Sequence, residues 1–309
     1  MTINGSSAPD RRFAAEPLID EINERTGSAL RLIGMAAHGE SGGAAYVRWP
    51  DGRDGVVTRS PIPVKRMRLT ADVLSLARSR GLPVPRHDLV IELTDGRVAI
   101  VQERMPGLPA RRVDANVIEA MVAMNEQFAG LLATHTDVPI PPLHLREPAL
   151  IAPSHDEVLE SYNDRSRRLL RRIRQIGRDE PHEMTGDDLV HLDYGLGNVL
   201  YDTSGQITGV VDWNLGAARG DRQFALIKLR IDLSWDRSTF VQTPDKASYH
   251  VEHQAIDRLD EILGTLIDPL LARVYWAHWI LQHLFWAIRN ERQQETIDLF
   301  LDLGERSLL

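Results

Sequence analysis

Hydrophobic and polar positions repeat with two different periods along the chain. In residues 13–26 Phe13, Leu18, Ile19 and Ile22 recur at helical spacing and Gly27 supplies a stop, which predicts a first helix. Strand-like runs follow at 30–37 and 44–49, separated by His38-Gly39-Glu40-Ser41-Gly42-Gly43, and the Asp51-Gly52 turn leads to a third at 55–60. A helix is expected over 70–80, with Val73, Leu74, Leu76 and Ala77 on one side. Gly81 ends it, and Pro83-Val84-Pro85 forces the chain to extend. Two more strands, 89–93 and 98–102, are joined by Thr94-Asp95-Gly96. The first 105 residues therefore read as an antiparallel five-stranded meander with one intervening helix, broken at Met105-Pro106-Gly107.

Beyond that break the helical period takes over. Val117, Ile118, Met121, Met124, Phe128, Leu131 and Leu132 predict a core helix over 115–135, and a Pro-rich connector over 138–148 follows. A helix over 156–176 carries Arg165, Arg167, Arg168, Arg171, Arg172 and Arg174, which cannot all share one helical face and so read as solvated rather than as a phosphate-binding stripe. Two apolar runs, 189–200 and 210–214, precede a helix over 224–235, a polar break at 236–248 and two or three C-terminal helices. Tyr275, Trp276, Trp279, Phe285 and Trp286 concentrate in the last part, where packing is the expected use and pocket lining the other.

A chain of 309 residues is long for one core, so we expect a loose tail at 1–12, a first unit at 13–105 and a second at 106–309. With 43% hydrophobic and 26% charged residues the chain is globular, and without cysteine it has no disulfide, thiolate metal site or cysteine nucleophile. The formal charge of -8 argues against non-specific nucleic-acid binding and leaves room for a cationic small substrate. The N-terminus lacks the basic and apolar regions of a secretory signal. The densest apolar run, 274–288, is interrupted by His278, Gln282 and His283, so no membrane span is expected and the expected location is the cytoplasm.

The polar groups set into the runs at 189–214 supply the candidate chemistry. Asp193 and Asn198 stand five residues apart and Asp212 follows fourteen later. A carboxylate and an amide carbonyl are the hard oxygen ligands that Mg²⁺ takes, while a second carboxylate can accept a proton from an attacking hydroxyl. Such a set serves phosphoryl transfer, in which the protein positions reactants and neutralises charge. Glycine in the 39–43 loop, which contains Ser41 and Gly42, lets backbone N–H groups approach a phosphate, although a Gly-rich hairpin is also simply a turn. Arg59 offers a guanidinium fork for phosphate oxygens or, equally, a solvated strand-end charge.

His191-Leu192-Asp193-Tyr194-Gly195-Leu196-Gly197-Asn198-Val199-Leu200, followed by Gly209-Val210-Val211-Asp212-Trp213, resembles the paired motif of the aminoglycoside phosphotransferase and choline kinase-like family. Weaker similarity runs from about residue 30 to 290, through Gly81-Leu82-Pro83-Val84-Pro85, Glu103-Arg104-Met105-Pro106-Gly107 and Arg219-Gly220-Asp221-Arg222. The resemblance implies an α+β, protein-kinase-like bilobal fold: an N-lobe of a five-stranded antiparallel sheet plus helix, and a mostly helical C-lobe. It implies that Asp193 orients and deprotonates the acceptor hydroxyl, that Asn198 and Asp212 hold Mg²⁺ and that His191 supports the loop. Ser41, Gly42 and Arg59 would meet the phosphates of ATP or GTP, and Glu103 and Met105 the purine, with Gln102 behind them.

Three departures stand out: the 70–80 helix has Asp72 but no Glu to pair with the strand cation, Leu192 replaces a smaller residue, and Ala225 replaces an Asp. The expected reaction is phosphorylation of a hydroxyl on a small molecule, an antibiotic first and a metabolite such as choline, homoserine or a sugar second. A nucleotide-binding pseudokinase is the alternative from another class. A protein kinase fits less well, because Gly220-Asp221 follows Asp212 too soon for an activation segment. A metal hydrolase would lack further ligands at recognisable spacing.

Overall fold

The computed structural model describes residues 14–36, 43–147, 151–180, 183–242 and 249–309. These fall into two compact units, one from the described residues up to 106 with 208–216 and one from those of 107–207 with 217–309.

In the first unit, helix α1 (Ala15–Thr26) precedes strands β1 (Arg31–Met35), β2 (Ala45–Arg48) and β3 (Asp54–Ser60), helix α2 (Val64–Ser79), and strands β4 (His87–Glu92) and β5 (Val98–Glu103). The sheet order is β1-β2-β3-β5-β4, antiparallel throughout. One sheet face buries Val47, Val57, Ala99 and Val101 against Leu18, Ile19 and Ile22 of α1. The other packs Val98 and Ile100 against Met67 of α2. Helix α2 starts six residues before the predicted 70, because Val64 and Met67 extend its apolar stripe back to Pro63, whose fixed φ suits a helix start.

The second unit begins with two short strands, β6 (Leu108–Pro109) and β7 (Arg112–Val113), and helix α3 (Ala115–Glu126), capped by the Asp114 carboxylate accepting from Val117 N–H. The helix expected to run to 135 stops at Glu126. Residues 127–129 donate three residues back, Gly130 is left-handed, and Leu132 N–H donates to Asp187 O. The helix expected over 156–176 is two, α4 (His155–Tyr162) and α5 (Asp164–Asp179). Asn163 between them is extended, and its side chain accepts from Ser166 N–H to cap α5. The arginines of α5 disperse as their spacing requires: Arg165 reaches Glu305 at 2.7 Å, whereas Arg174 pairs with Asp156 and donates to Leu145 O.

Strand β8 (Asp188–His191), a 3₁₀ turn (Leu196–Asn198), β9 (Val199–Tyr201), β10 (Ile207–Val210) and β11 (Ala217–Gly220) carry the central motif. Helix α6 (Gln223–Gln242) continues through part of the expected polar break, and β12 (His250–Val251), α7 (His253–Leu266), α8 (Pro269–Arg289) and α9 (Gln294–Leu308) complete the chain. Antiparallel β8–β11 and β6–β9 and parallel β7–β12 are small ladders among these helices. Phe224 of α6 packs on Tyr275 (5.2 Å between ring centres) and Trp279 (4.7 Å) of α8, so these two aromatics serve packing. Among the described residues no helix is long and apolar enough to cross a membrane.

Candidate active site

The 191–198 loop is built inside the second unit. Leu189 and Val190 are buried in β8, which delivers His191 to the end of a ladder in which it pairs with Ala217. His191 is buried, and its Nδ1 accepts the Asp193 backbone N–H at 3.0 Å, so the ring fixes the turn that presents Asp193. Tyr194 anchors the far side, donating its hydroxyl to Met121 O at 2.8 Å. Asn198 Nδ2 donates to Asp193 O (2.8 Å) and Oδ2 (3.2 Å), which leaves the carbonyl Oδ1 as the end suited to a hard cation. The Asp193 side chain retains 38% of its accessible surface.

The same carboxylate has a partner that the sequence motif does not reveal. Lys228 Nζ of α6 lies 2.7 Å from Asp193 Oδ1 and also pairs with Asp232 one turn on. Asp232 Oδ1 is 3.0 Å from His283 Nε2 of α8, and His283 Nδ1 is 2.8 Å from Trp279 O. Burial alone would depress the Lys228 pKa, but Asp232 and Asp193 outweigh it and raise the pKa above the ordinary lysine value. Burial likewise pushes the Asp232 carboxyl up, and the attraction of Lys228 with the His283 hydrogen bond brings it below the usual range.

Behind the loop, Arg222 joins Asp188 (2.8 Å) and Glu126 (2.5 Å), while Asp221 accepts from Gln223 N–H and from the Tyr275 hydroxyl, both at 2.9 Å. Burial raises the Asp221 pKa. The Arg219–Arg222 turn thus braces the start of α6.

Asp212 belongs to the first unit. It sits at φ 64, a left-handed backbone that Asp tolerates better than most residues and that recurs where geometry serves a site. Trp213 is buried, donating its indole N–H to Val210 O at 2.9 Å. Asn214 ties the loop to β3, accepting from the Thr58 hydroxyl on its side-chain oxygen (2.9 Å) and from the Ser60 hydroxyl on its carbonyl (2.6 Å). Alternation along the strand puts Arg59 on the opposite face from Thr58 and Ser60, where Asp95 and Arg97 act on it. Arg59 is therefore not brought to the Asp212 loop. Arg66 of α2 approaches the Gly216 end of that loop, its Nε 3.5 Å from where a Cβ on Gly216 would be. Burial lowers the Arg66 pKa. Asp72 is exposed, while Thr70 on the buried side of α2 faces Gly216.

Gln102 is buried on β5, and Glu103 spends its N–H on Arg86 O (2.8 Å) and its carboxylate on Arg78 (2.8 Å). Met105 follows, half-buried. Ser41 and Gly42 lie outside the described residues.

A family model described as the phosphotransferase enzyme family, APH, matches residues 36–236, more than half of the chain, and that span contains both parts of the motif. The chain belongs to this family. Its members' chemistry makes the protein a small-molecule kinase. Among curated proteins no sequence match is found. Among solved structures, a thermostable mutant of aminoglycoside phosphotransferase APH(4)-Ia, in ternary complex with ADP and hygromycin B, is similar with a TM-score of 0.63 and 17% identity, over 93% of this chain and 96% of that one. Amicoumacin kinase hAmiN, in complex with AMP-PNP, Ca²⁺ and Ami, gives a TM-score of 0.62 at 11% identity, over 96% and 95%. An aminoglycoside phosphotransferase from Alicyclobacillus acidocaldarius gives 0.53 at 16%, over 89% and 88%. At these identities the likeness speaks for the fold, and the protein-kinase-like α+β class read from the sequence is the one observed.

Proposed function

We propose that this kinase transfers the γ-phosphoryl group of ATP or GTP to a hydroxyl of a small molecule, with an antibiotic as the first acceptor class. The observation that carries the reading is the Asp193 carboxylate. It is partly exposed at the end of a buried strand and held by Lys228 on Oδ1 and Asn198 on Oδ2. A carboxylate fixed in this way can accept the acceptor's hydroxyl proton as its oxygen bonds to the γ-phosphorus. The bond to the β,γ-bridging oxygen then breaks, and its electron pair leaves with the nucleoside diphosphate.

Asn198 and Asp212 are the proposed ligands of Mg²⁺: an amide oxygen and a carboxylate are hard oxygen donors of the kind that this ion takes. The ion, when bound, neutralises charge on the phosphates. Gln102, Glu103 and Met105 are the proposed purine contacts, and Ser41 and Gly42 the proposed phosphate cover. Arg59, the proposed phosphate cation of the sheet, stands on the strand face opposite Thr58 and Ser60, which hold the Asp212 loop. The antibiotic class is supported by solved structures of similar fold, which include complexes with hygromycin B and of an amicoumacin kinase.

The test incubates the protein with [γ-³²P]ATP or GTP, Mg²⁺ and a panel of aminoglycosides, macrolides, amicoumacin, choline, homoserine and sugars. Label transferred to one antibiotic is the expected result. Transfer to a metabolite alone would replace the acceptor class, and tight nucleotide binding with no transfer to any acceptor would favour a pseudokinase.

A further inference from the structure

We propose that Lys228 is the positioning residue for Asp193 and that Asp232 with His283 is its anchor. The proposal rests on Asp193 being the catalytic base. Four groups from three elements are joined in series: Asp193 on the loop, Lys228 and Asp232 on α6, His283 on α8. A lysine with one carboxylate on its own helix would already make a closed pair. Here Asp232 is shared between Lys228 and His283, and the ammonium has donors left for Asp193, as its three N–H bonds allow. Lys228 and Asp232 expose only 11% and 14% of their side chains, so the attraction acts in a poorly solvated environment and fixes direction as well as charge.

Residue choice points the same way. Lys65, Lys228 and Lys246 are the only lysines among 36 basic residues, so this chain uses arginine for cations nearly everywhere else. An ammonium is a compact point donor, whereas a guanidinium is a planar fork that needs more room. Room is scarce, since a Cβ on Gly195 would come within 3.2 Å of Asp232 Oδ2 and 3.8 Å of Lys228 Nζ. Gly195 therefore lets the α6 pair reach the loop backbone.

With Lys228 on Oδ1 and Asn198 on Oδ2, the carboxylate cannot swing, and the acceptor's proton meets an oxygen in a fixed orientation. Misplacement by about 1 Å can cost about 100-fold in rate.

The three lysines make the test direct. Full-length protein labelled with ¹³C,¹⁵N-lysine should give one ammonium signal that Lys228→Arg removes and that Asp193→Asn shifts. Turnover of MgATP and MgGTP with water as phosphoryl acceptor is measured alongside. Lys228→Met with Asp232→Asn removes the buried pair together, so that neither charge is stranded. Its kcat should fall about 100-fold with KM for the nucleotide within about twofold, and Lys228→Arg should retain about a tenth of the wild-type kcat. A Lys228 signal indifferent to Asp193→Asn overturns the proposal whether or not the double variant folds. Wild-type kcat in the folded double variant also overturns it, provided Asp193→Ala is inactive. Full turnover by Asp193→Ala would instead bring down the base assignment itself.

Discussion

Acidification should destabilise the second unit through His278. This ring sits on α8, 7% exposed, with Nδ1 2.8 Å from Leu143 O and the rings of Phe224 and Trp279 each centred 5.0 Å away. Burial pushes its pKa down to about 3, and the Leu143 hydrogen bond opposes this only partly. The unfolded chain protonates the same ring near pH 6.5, so between pH 6.5 and about 3 unfolding takes up a proton that the native state refuses. Stability is therefore full above pH 6.5 and falls by about 1.4 kcal/mol per pH unit below it, levelling off near the native value. Between pH 7 and 5 this one ring should cost about 2 kcal/mol. Burial lowers the pKa of His144 and His155 too, so the wild-type loss should be larger. His278→Asn isolates one ring, because the amide can donate to Leu143 O without titrating. Urea unfolding at pH 7, 6 and 5, followed by tryptophan fluorescence, should show the variant losing about 2 kcal/mol less than wild type across that range. Equal losses in the two proteins would refute the reasoning.

Other perturbations separate packing from chemistry. A Cβ at Gly177 of α5 would lie 2.6 Å from the backbone C and O of Leu145, which cannot rotate away, so Gly177→Ala should cost about 2–3 kcal/mol in urea unfolding. Asn214→Ala removes the acceptor of the Thr58 hydroxyl and should cost about 1 kcal/mol in the same assay, with Thr58→Val on that background adding little. Asp212→Asn should raise the Mg²⁺ concentration for half-maximal transfer about tenfold or more; an unchanged requirement would remove Asp212 from the metal site.

Much of the fold was legible because local signals and tertiary need agree. Asp51-Gly52 and Thr94-Asp95-Gly96 turn between strands that alternate, and the resulting sheet buries Val47, Val57 and Val101 on one face. Where the structure departs from the apolar period, a single polar residue or a distant segment decides. Asn163 could cap a new helix because its side chain bonds Ser166 N–H, although the apolar period runs on across it. The segment after Glu126 left the helix to give Leu132 N–H to Asp187, a contact that no local pattern records.

The site divides in the same way. His191, Asp193 and Asn198 are close in sequence, and their mutual hydrogen bonds follow from the loop they form. Lys228 and His283 come from helices 35 and 90 residues beyond Asp193, so no motif spacing joins them to the loop. One signal was available: a lysine set among Ile227, Leu229 and Ile231 in a chain with so few lysines. The face of Arg59 was legible too, since a strand that points Thr58 and Ser60 one way must point Arg59 the other.

The central claim is that Asp193 takes the acceptor's proton. Its most direct test compares wild type with Asp193→Ala for transfer from ATP or GTP to the acceptor found by the panel, with nucleotide affinity measured on the same samples. Loss of transfer by about 100-fold or more, with nucleotide Kd within about twofold, is the expected result. Transfer at the wild-type rate would contradict the account.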